Sequence, residues 1–420
     1  MPAEPSFVIV GASLAGAKAA ETLRAEGFGG AVVLVGAEKE RPYERPPLSK
    51  GYLLGKDDRN VIYVHEEGWY AEHEVDLRRG AVAVSVDRAG RRVELAGGEA
   101  IGYGKLLITT GSSPRRLQVP GGDLEGVCYL RTVGDSERLA AAFRATGQTG
   151  GRVVIAGAGW IGLETAAAAR SYGCEVTVVE PEPTPLNRVL GPELGELFAA
   201  LHRRHGVDFK LRTGVAEFRG GDGPAAGRLR SVVTTGGTQL TADLAVVGIG
   251  VMPNVSLAQA AGLDVANGIL TDAALRTSDP DVYAAGDVSN SWNPLLHRRV
   301  RIDHWANALH GGPAAARSML GQDVSYDRVP YFFSDQHELG MEVSGLPGDG
   351  YDMVVYRGDP ESLEFIAFWL ADGRVVAGMN VNVWDVTADI QALIRSGVRV
   401  DPDRLADPEV PLSELTHNLA

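Results

Sequence analysis

The chain has 420 residues and a formal net charge of −14, and 45% of its residues are hydrophobic. This length predicts two or three domains with sizeable cores, and the composition is that of an ordinary globular protein. The negative charge argues against non-specific binding to nucleic acid, which requires a basic surface. The sequence shows neither the run of roughly 18 apolar residues that a membrane span requires nor the pattern of a secretion signal. We therefore expect a cytoplasmic protein.

The N-terminal segment has the pattern of a dinucleotide-binding unit. Phe7 to Val10 predicts a buried strand, and the turn Gly11-Ala12-Ser13-Leu14-Ala15-Gly16 leads into a helix that ends near Ala25. Gly11 permits a tight turn, Gly16 allows the helix to pack closely on the strand, and the first amides of the helix suit a pyrophosphate. Ser13 stands where the usual fingerprint has its middle glycine. After a second strand, Glu38 is placed to hold a ribose hydroxyl.

A second unit of the same kind starts at Arg152. Its strand is followed by the full fingerprint Gly157-Ala158-Gly159-Trp160-Ile161-Gly162, and the next strand ends at Glu180, 23 positions after Gly157. One such fingerprint is weak evidence, but two with strand, helix and acid indicate that two dinucleotides bind. A carboxylate at Glu180 favours NADH over NADPH, because it repels a ribose phosphate. The alternative is that Glu180 is a solvated charge at the end of a strand.

Apolar patterning predicts further elements along the chain. They are a hairpin over 81–87 and 91–95, strands over 105–111 and 243–250, helices over 186–209 and 306–320, and a C-terminal α+β unit from about 330 with strands over 363–370 and 374–382, a helix over 387–395 and a coil over 401–412. The run His202-Arg203-Arg204-His205 is interpreted as a solvated helix face.

Only two cysteines are present, Cys128 and Cys174, and they form no C-x-x-C motif. Thiol relay chemistry is therefore not expected. The nine histidines show no spacing typical of metal ligands, so they are interpreted as structural and no metal site is predicted.

The sequence resembles the FAD-dependent NADH:ferredoxin reductases of oxygenase systems, of the putidaredoxin reductase, rhodocoxin reductase and aromatic-ring dioxygenase reductase type. The similarity covers essentially the whole chain. It rests on Tyr43-Glu44-Arg45-Pro46-Pro47-Leu48-Ser49-Lys50, Ile108 to Gly111, Tyr129 to Thr132, Gly157 to Glu164, Gly248-Ile249-Gly250, Tyr283 to Asp287 and Phe333-Ser334-Asp335-Gln336.

The resemblance implies a glutathione-reductase-like α/β fold, with two Rossmann-like dinucleotide-binding domains and a C-terminal α+β domain. It implies an FAD domain formed by residues 1–113 and 246–325, an NADH domain over 114–245, and a C-terminal domain over 326–420. Such a fold brings the nicotinamide face to face with the flavin ring.

The resemblance also implies which residues bind the two cofactors. Those assigned to FAD are Gly11, Ser13, Leu14, Ala15, Gly16, Glu38, Arg45, Pro46, Lys50, Ala83, Thr110, Gly111, Arg131, Gly286, Asp287 and Trp305. Those assigned to NAD are Gly157, Gly159, Trp160, Ile161, Gly162, Glu164, Glu180, Gly248, Ile249 and Gly250.

Three residues are candidates for catalysis. In similar proteins a lysine at the position of Lys50 pairs with a glutamate at that of Glu164, and a cation at the reactive edge of the flavin would stabilise the charge of the reduced ring. The alternative is that the pair only braces two domains. Trp305 matches a position at the flavin, where an aromatic ring could gate electron exit, with simple packing as the alternative.

The implied partner is a two-iron, two-sulfur ferredoxin that serves a haem or Rieske-type oxygenase. Arg298, Arg299 and Arg301 form a basic run that would suit an acidic ferredoxin, although an ordinary exposed loop is the alternative. Other functions on this fold are a disulfide or peroxide reductase, which the cysteine pattern disfavours, a redox-sensing protein of the apoptosis-inducing-factor kind, and an NADH oxidase. Ser13, Ala37 and Phe332-Phe333 depart from the family pattern.

Overall fold

The computed structural model describes residues 6–222, 227–348 and 350–416. The strands in chain order are β1 (Phe7–Val10), β2 (Val32–Gly36), β3 (Val75–Arg79), β4 (Ala83–Asp87), β5 (Arg92–Leu95), β6 (Ala100–Gly102), β7 (Lys105–Ile108), β8 (Ser112–Pro114), β9 (Val127–Cys128), β10 (Arg152–Ala156), β11 (Glu175–Glu180), β12 (Val207–Leu211), β13 (Val215–Gly220), β14 (Leu229–Thr234), β15 (Gln239–Thr241), β16 (Leu244–Val247), β17 (Val251–Pro253), β18 (Ile269–Thr271), β19 (Val282–Ala284), β20 (Ser289–Asn293), β21 (Arg298–Val300), β22 (Tyr331–Gln336), β23 (Leu339–Gly345), β24 (Met353–Asp359), β25 (Glu364–Ala371) and β26 (Arg374–Val381). The helices are α1 (Leu14–Ala25), α2 (Trp69–Glu72), α3 (Val133–Gln148), α4 (Trp160–Ser171), α5 (Asn187–Leu190), α6 (Pro192–Arg204), α7 (Ser256–Ala260), α8 (Trp305–Met319), α9 (Thr387–Ser396) and α10 (Pro402–Ala406).

These elements form two compact units. The first contains the residues up to Glu44 together with Arg59–Ser113 and Val251–Pro330. The second contains Arg45–Asp58, Pro114–Gly250 and the residues from Tyr331 onward. The short segment around Lys50 therefore groups with the second unit.

The first unit is built on a parallel sheet in the order β19-β7-β1-β2-β3. Its central strands are apolar on both sides, as parallel strands covered on both faces require. Ile9 and Leu34 pack in one apolar cluster, whereas Val8 and Val35 pack in another. The hairpin of β4 and β5 forms as predicted. The edge strand β3 was not predicted from the sequence, because it has few apolar residues.

The second unit contains a parallel sheet in the order β12-β11-β10-β16-β9 and an antiparallel sheet in the order β22-β23-β26-β25-β24. One apolar cluster includes Ile155 and Phe198 around the parallel sheet and Phe365 and Trp369 of the antiparallel sheet. The sequence predicted only β25, β26 and α9 of the C-terminal part. The antiparallel sheet has five strands, and the expected terminal coil contains the short helix α10, capped by Asp401.

Two predictions about the segment after β11 are wrong. The single helix predicted over 186–209 is divided at Gly191, whose φ of 84° is incompatible with a continuous helix, and Pro192 then begins α6. His202, predicted to be exposed, is fully buried. It follows Leu194 and Phe198 at intervals of four residues and so lies on the apolar face of α6.

No helix within the described ranges is both long and apolar enough to cross a bilayer.

Candidate cofactor and catalytic sites

The first glycine turn has the shape of an anion cradle. A Cβ atom at Gly11 would lie 2.1 Å from the carbonyl oxygen of Thr109, and one at Gly16 would lie 2.1 Å from that of Gly11, so both positions accept only glycine. Ser13 is the N-cap of α1, but its side chain makes no capping hydrogen bond. The first amides of the helix, those of Leu14, Ala15 and Gly16, therefore suit the pyrophosphate of a dinucleotide.

Ser13 replaces the middle glycine without backbone strain. Its φ of −122° is in the extended region that any residue adopts. The corresponding residue of the second turn, Gly159, has a φ of −79°, and a Cβ atom there would meet no protein atom within 4 Å. The departure from the fingerprint is thus compatible with the same turn geometry.

The other first-unit residues assigned to FAD lie largely at the carboxyl ends of the parallel strands, where ligands of open α/β sheets bind. Glu38 follows β2 and its Oε2 accepts a hydrogen bond from Tyr43 Oη at 2.5 Å. Thr110 and Gly111 follow β7, and Gly286 and Asp287 follow β19. The exceptions are Ala83, which begins β4 in the hairpin, and Trp305, which begins α8.

Asp287 and Thr110 are both held by neighbours in the first unit. Ser112 Oγ donates to Asp287 Oδ2 at 2.6 Å. Thr110 Oγ1 donates to the carbonyl oxygen of Asn254 at 2.9 Å, and the Asn254 amide donates back to the carbonyl oxygen of Thr110 at 2.8 Å. These bonds fix the loops around the cradle, so the residues present fit the cofactor that the sequence predicts.

The second glycine turn has the same construction. A Cβ atom at Gly157 would lie 2.5 Å from the carbonyl oxygen of Gly248, and one at Gly162 would lie 2.0 Å from that of Gly157. Gly159, the N-cap of α4, has no side chain that could accept hydrogen bonds from the first amides of the helix. The amides of Trp160, Ile161 and Gly162 are therefore suited to bind a second pyrophosphate. Gly248, Ile249 and Gly250 follow β16, which neighbours β10 in the sheet.

Glu180 is held beside this turn rather than left as a free charge at a strand end. Its Oε2 accepts from the backbone amide of Ala158 at 2.6 Å, and its Oε1 accepts from that of Glu182 at 3.0 Å. The residues that directly follow Glu180 in the sequence, Pro181-Glu182-Pro183, include no arginine that could receive a ribose phosphate. The structure brings Arg188 to this region, but its guanidinium is ion-paired with Glu182 at 2.5 Å.

The predicted pair of Lys50 and Glu164 is present in the second unit. Lys50 follows the 3₁₀ turn Pro46–Ser49, and its Nζ lies 2.7 Å from Oε1 of Glu164, whose side chain is only 3% exposed. Two hydroxyls complete the site, since Ser49 Oγ donates to Oε2 at 2.5 Å and Ser334 Oγ donates to Oε1 at 2.6 Å. The buried carboxylate therefore accepts three hydrogen bonds, two from hydroxyls and one from the ammonium group of Lys50.

Sequence reasoning missed both serines, although each lies in a motif that carried the resemblance. Asp335, next to Ser334, has a raised pKa because burial penalises its charged form, while Lys50 opposes the shift. Arg45 and Arg131 are also joined in this unit, where Arg45 Nη1 donates to the carbonyl oxygen of Arg131 at 2.5 Å.

Trp305 begins α8 in the first unit. Its Nε1 donates to Glu44 Oε2 at 3.1 Å, and burial raises the pKa of that carboxyl group. The indole is thus oriented by a hydrogen bond that the sequence did not predict.

Of the three arginines in the basic run, Arg298 and Arg299 are exposed, but the side chain of Arg301 is only 12% exposed.

The two thiols are not poised for redox chemistry. Both Cys128 and Cys174 are free, and Cys174 is fully buried. Burial raises the pKa of both, that of Cys174 to about 11, so the reactive thiolate is disfavoured. Among the described residues, no group of histidine, cysteine and carboxylate side chains is arranged to hold a metal ion.

Comparison with known proteins agrees with this geometry. A family model described as pyridine nucleotide-disulphide oxidoreductase matches residues 5–312, and one described as reductase C-terminal matches residues 331–416. The ferredoxin–NAD(+) reductase component of the anthranilate 1,2-dioxygenase system of Burkholderia cepacia is 43% identical over 98% of this chain and 99% of that protein. Rhodocoxin reductase of Rhodococcus erythropolis is 38% identical over 97% of this chain and 93% of its own.

Solved structures show the same relationship. The crystal structure of the covalent putidaredoxin reductase–putidaredoxin complex matches with a TM-score of 0.92 and 35% identity, over 98% of both chains. A ferredoxin reductase from Rhodopseudomonas palustris matches with a TM-score of 0.93 and 35% identity, over 98% of this chain and 100% of that one. The chain therefore belongs to the pyridine nucleotide-disulphide oxidoreductase family, among the ferredoxin reductases of oxygenase systems, whose cofactors are FAD and NAD(H).

Proposed function

We propose that the protein is an NADH-dependent reductase that supplies electrons to a ferredoxin of an oxygenase system. The observation that carries this proposal is the presence of two glycine cradles in a chain that matches ferredoxin reductases over 98% of its length. Bound FAD would supply the chemistry that converts the two-electron donor NADH into single-electron delivery. NADH is a cytoplasmic donor, and we place the protein in the cytoplasm.

Within this function, Lys50 acts as the cation that favours reduction of the flavin. The support is its ion pair with the buried Glu164, which holds the ammonium group in one position. Such a fixed charge stabilises a developing negative charge without the reorganisation that a mobile lysine would need. Trp305, held by Glu44, is proposed as the aromatic residue that shields the flavin.

The ferredoxin partner carries a two-iron, two-sulfur cluster and docks at an exposed patch formed by Trp292, Arg298 and Arg299. Strands β20 and β21 pair so that Trp292 lies opposite Arg299, and Trp292 is 41% exposed. Exposed tryptophan and arginine side chains are enriched in protein interfaces, and the arginines would attract an acidic partner. Arg301 makes a smaller contribution because it is turned inward toward the backbone of Asp287 and the carboxylate of Asp303.

The test is a direct comparison of electron acceptors. The purified holoprotein should show an FAD absorption spectrum, and NADH should reduce two-iron, two-sulfur ferredoxins much faster than oxygen or disulfides. Fast oxygen consumption without ferredoxin would instead identify an NADH oxidase. Slow turnover with every acceptor, together with NADH-dependent assembly, would identify a redox sensor, and absence of bound flavin would refute the proposal as a whole.

A further inference from the structure

A buried chain of hydrogen bonds connects Glu164 to the histidines of α6. Ser334 Oγ lies 2.6 Å from Glu164 Oε1, and Gln336 Nε2 lies 3.0 Å from Ser334 Oγ. Gln336 Oε1 lies 2.9 Å from His202 Nε2, and His202 Nδ1 lies 3.4 Å from His337 Nε2. Ser334, Gln336 and His202 are each at most 1% exposed. All of these residues belong to the second unit.

The carboxylate fixes the direction of every bond in this chain. An ionised glutamate only accepts, so Ser334 must donate its proton to Glu164 and accept from the amide nitrogen of Gln336. The amide oxygen of Gln336 then faces His202, which must carry its proton on Nε2. His202 Nδ1 is left as an acceptor for the Nε2–H group of His337. All donors therefore point toward Glu164.

Both histidines are held in the neutral form that this direction requires. Burial lowers the pKa of His202 to about 4 and that of His337 to about 3. His205 stacks on the ring of His337 at 3.8 Å and is paired with Glu338 at 2.5 Å, while Arg170 adds a positive potential at His337. At the other end, Lys50 and Asp335 are the charged and titratable groups that face Glu164.

We propose that Ser334, Gln336 and His202 are positioning residues that hold the Glu164 carboxylate in place and turned toward Lys50. The inference rests on the proposed role of Lys50 in flavin reduction. Ser334 and Gln336 come from β22 and His202 from α6, so the C-terminal strand β22 takes part in setting the electrostatics of the reductase site. This chain of hydrogen bonds does not conduct protons, because the Gln336 amide would have to pass through a high-energy tautomer to relay a proton.

Histidine tautomers give a test that does not depend on turnover. In the holoprotein labelled with ¹⁵N-histidine, with signals assigned from the His202→Gln variant, His202 should be the neutral Nε2–H tautomer from pH 8 to about pH 5.5. In Gln336→Ala its Nε2–H group loses the acceptor, so that signal should shift or begin to exchange with water. A protonated Nδ1 in the neutral wild-type imidazole, or titration of His202 near pH 6.5, would overturn the inference.

Kinetic measurements then test whether this chain of hydrogen bonds positions the Glu164 carboxylate. In stopped-flow reduction of the holoprotein by NADH, Ser334→Ala should slow the rate by about threefold to tenfold and move the acid limb of the pH–rate profile to higher pH, since the Glu164 carboxylate loses one of its three donors. Ser334→Thr should restore both. The matched control is Ser344→Ala. Ser344 is also buried, at 2% exposure, in the same sheet, but among the described residues its hydroxyl bonds only to Gln391.

The outcomes separate this inference from the proposed function. If Lys50→Met is slow but Ser334→Ala keeps the wild-type rate and pH profile, the positioning role is refuted and the proposed function stands. If Lys50→Met reduces its flavin at the wild-type rate, the proposed role of Lys50 is refuted. The ¹⁵N spectra then decide by themselves whether the directed chain exists.

Discussion

Lys50 and Glu164 form an ion pair of 2.7 Å in which the side chain of Glu164 is buried and that of Lys50 is 15% exposed. The two residues are separated by 114 positions in the sequence. Removing one partner of a buried pair leaves an uncompensated charge, which is far more costly than losing an exposed pair. We therefore expect substitutions at this site to affect stability and, through the proposed role of Lys50, the reduction of the flavin.

Lys50→Met is expected to slow flavin reduction by NADH by tenfold or more. It should also lower the free energy of unfolding by about 1–3 kcal/mol, because Glu164 keeps its two serine donors but loses its counterion. Stopped-flow absorbance and urea unfolding measure the two effects. Lys105→Met is the control, since Lys105 pairs with Asp281 at 3.2 Å in the first unit and should leave the reduction rate unchanged. Equal rates in the two variants would contradict the prediction.

Two glycines of the second cradle are expected to respond differently to alanine. Gly162→Ala places a Cβ atom 2.0 Å from the carbonyl oxygen of Gly157 and should disrupt folding of the turn. Gly159→Ala meets no protein atom, so the melting temperature should stay within about 2 °C of the wild type. Its KM for NADH should nevertheless rise by about twofold to fivefold, because a pyrophosphate that approaches the backbone there meets the added methyl group. The effect should be limited, since Ser13 already carries a side chain at the equivalent position of the first turn. An unchanged KM would show that the dinucleotide does not lie over Gly159.

The first cradle provides the complementary case. Ser13 occupies the position equivalent to Gly159 in an extended conformation. Ser13→Gly should therefore leave the FAD dissociation constant within about threefold of the wild type. The backbone at Ser13 is not strained, and its side chain makes no capping hydrogen bond that the substitution would remove. Flavin release measured by fluorescence checks this, and a large change in affinity would mean that the serine side chain itself contacts the cofactor.

Glu180 is expected to determine the preference for NADH. Glu180→Gln keeps an acceptor for one of the amides of Ala158 and Glu182 but removes the negative charge that would repel a ribose phosphate. The ratio of kcat/KM for NADH to that for NADPH should fall at least tenfold. Glu175→Gln is the matched control, because Glu175 begins the same strand and is paired with Arg152 at an exposed position. A ratio that is unchanged in Glu180→Gln would assign coenzyme choice to other residues.

The parts of the fold that the sequence predicted are those determined by local patterns. The two strand–turn–helix cradles depend on residues within about thirty positions. The steric limits at Gly16 and Gly162 are local in this sense, because a Cβ atom there would meet the carbonyl oxygen of Gly11 or of Gly157 in the same turn. By contrast, Ser334 lies 170 positions from Glu164, and no local pattern identifies such a partner. The burial of His202 was missed because its charged neighbours concealed the spacing of four residues from Phe198. Strands β22 to β24 were missed because their pairing partners are specified by the tertiary structure rather than by periodicity.

Acid should destabilise the protein in part through His202. Its pKa is about 4 in the folded chain against 6.5 for an ordinary histidine, so between these values the unfolded chain binds a proton that the folded chain does not. The free energy of unfolding should thus fall as the pH drops from 6.5 to 4, by about 3 kcal/mol at most from this residue. Urea midpoints at pH 7.5 and 5.0 should differ less in His202→Gln than in the wild type. The exposed His297 is the control, and its replacement by glutamine should change neither midpoint.

Charge reversal should identify the ferredoxin docking patch. Arg298→Glu together with Arg299→Glu is expected to raise the KM for ferredoxin at least tenfold at low ionic strength, because the association of oppositely charged surfaces depends on these exposed arginines. Reduction of the flavin by NADH should be unaffected.

The wild-type rate of ferredoxin reduction should fall as salt is added, because salt screens the attraction between the two proteins. The double variant should lose this salt dependence, because it lacks the attractive charges. The matched control is Arg203→Glu together with Arg204→Glu, which makes the same change of charge at two adjacent exposed arginines near the end of α6. If the two double variants behave alike, only the overall charge matters. The proposed patch would then be wrong.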